Sequence, residues 1–298
     1  MMKLNVDDLV QKKLVIKKTY TDGPYKGLSV LKYHNRVFYD NLWDTDERLL
    51  ECRGTVVDED DNVIVLPFKK VFNMGENATH VDPEREIIAP RKVNGFLGCA
   101  TQTEKYGLII STSGTLDSEY VQMARKWIEK GDTSEMLPGV TYLFEICDPE
   151  DQHIVPEESG AYLIGCRNHE NQKLLDEDYL DMLAYNYLGY KRPEVWRGLY
   201  KDLPSTRMEG YMIRDAQTQE TLAKLKSPYY LVRKAMIRMG KSRASLMFNN
   251  PDEFRKQIDE EFYDLHTHII KTYTLDQYVE FKLDEREQIL NEYFTYAQ

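Results

Sequence analysis

Lys92-Val93-Asn94-Gly95 is the stretch on which the reading of this chain turns. Glu86 to Ala89 forms a short apolar approach to Pro90 just before it. Phe96 to Thr101 and Leu108 to Thr112 follow it as an expected hairpin pair. Lys92 is therefore placed at a strand–loop junction, where a side chain can point into a cleft. A lone Lys-x-x-Gly carries little, since roughly one is expected by chance in a chain of this length. Three further segments follow in order: Phe144-Glu145-Ile146, Glu209-Gly210-Tyr211 and Lys224-Leu225-Lys226. The ordered set is far more specific than its first member.

Each later segment falls on an expected strand. In Val140 to Cys147, Tyr142, Phe144 and Ile146 alternate with Leu143, Glu145 and Cys147, so Glu145 points away from the aromatic face. Glu209 to Arg214 puts Glu209, Tyr211 and Ile213 on one side. Leu222 to Lys226 places Lys224 and Lys226 on a common face, and Pro228 ends that strand. Upstream, Leu28 to Tyr39 has strand-like content, and Cys52 to Val57 and Val63 to Phe68 are joined by the acidic turn Asp58–Asn62. Asp117 to Lys130 reads as a helix with Val121, Ala124, Trp127 and Ile128 on one face. Ala161 to Cys166 is a further strand and Leu175 to Leu188 a further helix, and no internal repeat or low-complexity linker interrupts the chain.

Composition sets bounds. The 298 residues are 42% hydrophobic, enough for one large domain, or one with a smaller companion. A formal net charge of −11 argues against a simple electrostatic nucleic-acid binder, while leaving room for a protein that confines its basic residues to one groove. The segment Lys224 to Ser245 carries seven basic residues and no acidic one, whereas acidic residues dominate from Asp252 to Glu292. The N-terminus lacks an apolar run of signal-peptide length, and no stretch reaches transmembrane length. Cys52, Cys99, Cys147 and Cys166 are widely and irregularly spaced, which reads as buried thiols in a reducing, cytoplasmic compartment.

The chemistry that needs these residues is covalent nucleotidyl transfer. A lysine amine attacks phosphorus only when neutral, and its free pKa is near ~10.4, so the site must lower it. A second cation does so by like-charge repulsion, and Lys224 or Lys226 could supply it. The same pair could hold a triphosphate and offset charge on the leaving pyrophosphate. Glu145 and Glu209 are the carboxylates suited to Mg²⁺ (or Mn²⁺), and Gly95 and Gly210 would let backbone approach a nucleotide. Each residue alone has a bland alternative, a surface lysine or an exposed sheet face; order and spacing together favour the site.

These segments resemble those of the covalent nucleotidyltransferases: ATP-dependent RNA and DNA ligases and mRNA-capping guanylyltransferases. More narrowly, the chain resembles the RNA ligase family typified by the tRNA-repair ligase of T-even phages. Leu50-Glu51-Cys52-Arg53-Gly54, Lys70-Val71-Phe72-Asn73, Ser113-Gly114-Thr115, Arg167-Asn168 and Lys226-Ser227-Pro228-Tyr229-Tyr230 carry that match, over roughly residues 28 to 235.

The resemblance implies an α+β nucleotidyltransferase fold with antiparallel sheets around an ATP cleft, residues 1–235. A small all-helical domain, 236–298, would follow, with Phe254 to Leu265 and Leu283 to Tyr293 as its amphipathic helices. Those sixty residues lack the strand alternation of the OB-fold barrel that DNA ligases and capping enzymes carry there. The implied activity is ATP-dependent RNA ligation. Lys92 takes AMP from ATP, the AMP passes to an RNA 5′-phosphate, and a 3′-hydroxyl then seals the strand. Lys92, Lys224 and Lys226 would be catalytic. Tyr33 and Phe72 would lie near the nucleotide, and Arg53 and Lys70 near phosphates. Glu145 would contact ribose or metal, Glu209 would bind metal, and Gly95 would border the nucleotide. The expected partners are ATP, RNA ends, with tRNA among the candidates, and a separate end-healing kinase-phosphatase; the expected state is a monomer. The rivals are a DNA ligase or capping enzyme, or a relative that kept the fold and lost catalysis. Two positions depart from the family pattern: Asn94 stands where an acidic residue is usual, and Ser113 where these ligases often place a basic one.

Overall fold

The computed structural model describes residues 2–151, 153–258 and 262–296. The chain divides into two compact units: Met1–Pro204 with Tyr211–Leu225, and Ser205–Gly210 with Lys226–Gln298.

The first unit is built on three four-stranded sheets. One is β1 (Val15–Thr19), β2 (Ser29–Tyr33), β3 (Arg53–Val57) and β4 (Val63–Val65), paired in that order. The others draw on β5 (Glu86–Pro90), β6 (Phe96–Thr103), β7 (Gly107–Thr112), β8 (Val140–Cys147), β9 (Gly160–Asn168), β10 (Val195–Leu199), β11 (Gly210–Asp215) and β12 (Thr221–Lys226). The orders are β10-β5-β11-β12 and β7-β6-β8-β9. Antiparallel registers run β10·β5·β11 in the first of these and throughout the second. Lys92 therefore sits on the link between two interior strands, β5 of one sheet and β6 of the next.

β8 explains why this arrangement is stable. Tyr142, Phe144 and Ile146 pack with Ala100, Ile110 and the helix Glu119–Ile128, whose buried stripe is Val121, Ala124 and Ile128. Leu143, one residue out of phase, joins Val30, Val56 and Val65 of the first sheet. Period-two alternation on a strand covered on both faces thus fastens two layers to one backbone. Each such side chain contributes about 1.5–3 kcal/mol by leaving water.

Several sequence expectations change at their ends. The strand beginning near Leu28 stops at Tyr33, because the His34 side chain accepts from the Arg36 N–H at 3.1 Å and starts the helix Asn35–Tyr39. The strand at Val63 ends at Val65, just before Pro67. The expected helix from Leu175 to Leu188 becomes an α-helix, Glu177–Leu183, and a π-helical turn, Ala184–Leu188, closed by Gly189 at φ 73°. The four cysteines are free and buried, and burial pushes the Cys52, Cys99 and Cys147 thiols up to about 12. Among the described residues, no helix is long and apolar enough to cross a membrane.

A buried polar chain joins the sheets of this unit. Thr141 Oγ1 accepts from the Leu66 N–H at 2.8 Å and lies 2.9 Å from Thr101 Oγ1 and 2.8 Å from His169 Nε2. Burial, reinforced by the nearby Arg167 charge, lowers the His169 pKa from 6.5 to about 4. The unfolded chain takes up this proton first as pH falls, so the stabilisation is complete above pH ~6.5 and lost towards pH ~4. The loss is on the order of 3 kcal/mol. His169→Gln should therefore flatten the fall of melting temperature between those values, relative to the wild type, in a pH series of thermal melts.

The second unit is helical. Its helices are Pro228–Ile237, Lys241–Asn249, Pro251–Arg255, Tyr263–Thr272, Leu275–Glu280 and Leu283–Tyr296. The expected single helix Phe254 to Leu265 is instead divided between the third and fourth of these, and residues 259–261 lie outside the described residues. Ser227 caps the first, accepting from the Tyr230 N–H at 3.0 Å, with Pro228 at the favoured first position. This unit takes in Ser205–Gly210 and the chain from Lys226, and its first helix packs against Leu283–Tyr296. Its Arg233, fully buried, donates to Asn291 at 2.8 Å and to Glu287 at 3.2 Å. Residues 205–210 join it through Ser227, whose N–H donates to the Glu209 carbonyl at 2.9 Å and whose hydroxyl donates to the Met208 carbonyl at 2.6 Å. Arg286 latches the tail, donating to the carbonyls of Tyr278, Ile237 and Met239 at 2.9, 3.2 and 2.7 Å. Arg286→Ala strands those buried carbonyls and should cost this unit roughly 3 kcal/mol, read as a lower midpoint in urea unfolding.

Candidate active site

A cavity of about 340 Å³ opens in the first unit around Lys92, near the lower end of the range for small-molecule sites. Its walls carry six cationic side chains, Arg53, Lys69, Arg91, Lys92, Arg214 and Lys224, against two carboxylates, Glu145 and Glu177. In a chain of net charge −11 this is a local inversion of sign, suited to a polyanion.

Lys92 is fixed from both sides. Before it, the Arg91 N–H donates to the Glu194 carbonyl at 2.8 Å, and Arg91 bridges to Tyr211. After it, Val93 is buried against Cys147 and Tyr162. The Gly95 N–H donates to Glu145 Oε1 at 3.0 Å. A Cβ on Gly95 would lie 2.2 Å from the Ile146 carbonyl oxygen, so only glycine lets this loop rest on β8.

A loop between β8 and β9 completes the clamp. Glu157, its side chain 4% exposed, accepts two contacts from Arg91 Nη1, at 2.7 and 2.9 Å. The same carboxylate accepts from the Asn94 N–H at 3.1 Å. In return Asn94 Oδ1 accepts from the Val155 N–H at 2.9 Å. Asn94, standing where an acidic residue is usual, thus organises backbone here through a neutral oxygen.

The opposite charges on the wall are also held. Glu177, nearly fully buried, accepts from both Arg192 and Arg214. Burial, together with the Arg192 charge, lowers the Arg214 pKa, while Glu177 opposes the shift. Gly54, at φ 95°, brings the chain against Ser113: a Cβ there would meet the Ser113 Cα at 2.8 Å. Arg53 and Ser113 consequently border the same cavity.

Of the residues singled out in the sequence, Arg53, Lys92, Gly95, Glu145 and Lys224 line this cavity together. Tyr33, Lys70 and Phe72 do not line it. Tyr33 and Phe72 flank Trp43, with ring centroids 4.9 and 5.4 Å from it, and Lys70 Nζ lies over Phe72 at 4.3 Å. Their segment reaches the site through backbone, since the Lys224 N–H donates to the Phe72 carbonyl at 2.9 Å. Glu209 and Lys226 belong to the second unit, where Lys226 Nζ lies 5.5 Å from the Tyr230 ring centroid. Sequence reasoning missed Lys69, Arg91, Glu157, Glu177 and Arg214. Arg91 could have been found as the neighbour of Lys92. Glu157 has no local signal, lying in an acidic loop beside Glu158.

The fold is the nucleotidyltransferase fold of ATP-dependent ligases. An archaeal ATP-dependent RNA ligase superposes with a TM-score of 0.60 at 12% identity, over 94% of this chain and 77% of its own. A structure from Aquifex aeolicus, provisionally titled an ATP-dependent DNA ligase, does so with a TM-score of 0.50 at 16% identity, over 96% and 74%. The chain belongs to the RNA ligase family, whose model matches residues 51–230. A curated relative from Thermovibrio ammonificans, provisionally named an RNA ligase, is 24% identical over 210 residues, 60% of this chain. The match spans about half of that relative's own length, 52%.

Glu157→Ala removes the acceptor of the Asn94 N–H and the partner of Arg91. Amide exchange at Asn94 should then quicken at least about tenfold, because local opening no longer breaks that charge-assisted bond. Glu157→Gln, which keeps an acceptor, should fall between the two. Hydrogen exchange read at single-residue resolution checks this.

Proposed function

We propose that this protein is an ATP-dependent RNA ligase, sealing 5′-phosphate to 3′-hydroxyl ends through a lysyl-AMP and an RNA-adenylate. The observation that carries the reading is Lys92 in a cation-lined cavity, in a chain of the RNA ligase family.

The reaction would run in three steps. The neutral Lys92 amine attacks the α-phosphorus of ATP; a P–N bond forms and pyrophosphate leaves with the bond it held. An RNA 5′-phosphate oxygen then displaces the lysine, giving a 5′–5′ RNA-adenylate. The RNA 3′-hydroxyl attacks the RNA phosphorus, loses its proton and releases AMP. Lys224 and Arg53, on the same wall, stabilise charge on the transferring and leaving phosphates. Lys226 is assigned to the α-phosphate, and Glu145 also to the ribose. Tyr33, Lys70 and Phe72 are kept as support for the nucleotide side of the cavity through the Phe72–Lys224 pairing.

The family resemblance gives Glu145 and Glu209 as the residues that would hold a divalent cation; Glu145 lines the Lys92 cavity and Glu209 belongs to the second unit. Among the described residues no group of three or more His, Cys, Asp or Glu could cage one. Two carboxylates suit Mg²⁺, which keeps waters and takes phosphate oxygens. The metal would supply neutralisation of phosphate charge. The substrate is RNA, with tRNA a candidate, and a partner that restores 5′-phosphate and 3′-hydroxyl ends is part of this reading, as is a monomeric, cytoplasmic protein. Exposed Arg238, Lys241 and Arg243 are assigned to RNA phosphates.

Incubation with each NTP and Mg²⁺, followed by intact-mass analysis, tests the first step. ATP should add one AMP to the wild type and none to Lys92→Ala or Lys92→Arg, since a guanidinium stays protonated. An AMP adduct surviving in Lys92→Ala, or an adduct formed with GTP alone, overturns the assignment. Sealing of nicked RNA but not DNA by the same preparation is the expected result of the second arm. Glu209→Gln should slow the first step on the order of 10²-fold at ordinary Mg²⁺, measured in single turnovers.

A further inference from the structure

Lys69 and Lys70 are adjacent, yet their side chains go to different places. Lys70 is only 8% exposed and ion-paired with Glu76 at 3.2 Å. Its ammonium lies over the rings of Trp43 and Phe72, at 5.2 and 4.3 Å. A cation enclosed by two aromatic faces and a carboxylate has its charge already matched. Lys69 is 55% exposed and lines the cavity with Arg53 and Ser113.

Lys69 is also weakly committed. Its nearest acid is Glu51, at 3.4 Å. Both Glu51 oxygens already accept from Arg167, Oε2 from Nη1 at 2.7 Å and Oε1 from Nη2 at 2.8 Å. That fork-to-fork pair is buried and geometrically complete. Lys69 is a second, outer cation on a carboxylate neutralised without it, and exposed pairs of this kind are weak. A polyphosphate entering the cavity offers it a stronger partner.

We propose that Lys69, and not Lys70, joins Arg53 and Lys224 as a cation this cavity presents to the β- and γ-phosphates of the nucleotide. It thereby supplies the charge that Ser113 lacks where related ligases often carry a basic residue. The inference rests on the ATP-dependent ligase reading. Arg53 and Lys69 are linked through Glu51, whose carbonyl accepts from the Arg53 N–H at 2.9 Å. The close approach at Gly54 brings Ser113 to the same wall. A charge moved from residue 69 to residue 113 therefore stays on that wall. A flexible, half-solvated ammonium also suits a group that must release pyrophosphate after each transfer.

The test compares Lys92 adenylylation by ATP with sealing of chemically 5′-adenylylated RNA, which carries no β- or γ-phosphate. Lys69→Ala should raise the KM for ATP at least tenfold, raise the KM for pyrophosphate in the reverse reaction similarly, and leave sealing of adenylylated RNA within twofold. Lys69→Arg should restore most of the ATP affinity, and so should the double variant Lys69→Ser with Ser113→Lys. Lys70→Ala should lower the melting temperature by loosening the Trp43–Phe72 cluster, and both steps should fall together. An unchanged KM for ATP in Lys69→Ala, an equal loss in both steps there, or no recovery in the charge-relocated variant overturns the proposal. A wild type that forms no AMP adduct at all defeats the ligase reading instead, and the two failures are thereby distinct.

Discussion

The Ile146 carbonyl oxygen leaves no room for a side chain at residue 95, and the geometry of the site follows from that contact. Because the loop after Lys92 lies directly on β8, its height above the sheet is set by backbone rather than by side-chain packing. Glu145, one residue earlier on β8, takes the Gly95 N–H, and Glu157 takes the Asn94 N–H. β8 itself cannot shift, since its aromatic residues lie in one core layer and Leu143 in another. Lys92, the proposed nucleophile, is thus carried on a loop held by a strand with both faces buried, the kind of support that reactive groups need to keep their position.

The electrostatics follow a second constraint. An acidic chain can present a cationic cavity only if the cations outnumber the carboxylates on its wall and their mutual repulsion is contained. Here six cationic side chains face two carboxylates on the lining, and buried acids hold some of the arginines in place. Glu177 sits between Arg192 and Arg214, and Glu51 is locked to Arg167. One partner removed from either group leaves an uncompensated buried charge, which is far more costly than losing a surface pair. The pairs therefore hold arginines in fixed places while the cavity keeps a surplus of positive charge.

The central strands were legible because a strand covered on both faces still betrays its phase when aromatic residues occupy one side. Tyr142, Phe144 and Ile146 did so, and Glu145 fell where the alternation put it. Lys69 and Lys70 were not distinguishable: which of two adjacent lysines is enclosed is decided by Trp43 and Glu76, which no local pattern links to them. The helix from Pro228 reads the same whether its buried face meets a sheet or another helix, and only its partner, Leu283–Tyr296, settles the matter. Glu157 was invisible because a loop carboxylate acquires meaning only from the backbone amide it meets.

The choice of RNA as the polymer rests on the family match over residues 51–230. There is a physical reason why the cavity should be silent on this point. Its charged wall is suited to phosphate, and phosphate is common to RNA and DNA. Discrimination needs a group that meets the 2′-hydroxyl or the shape of the helix. Residues that answer to ATP and residues that answer to RNA should therefore be separable: substitutions on the cavity wall alter nucleotide use, whereas those that change the choice of polymer fall elsewhere.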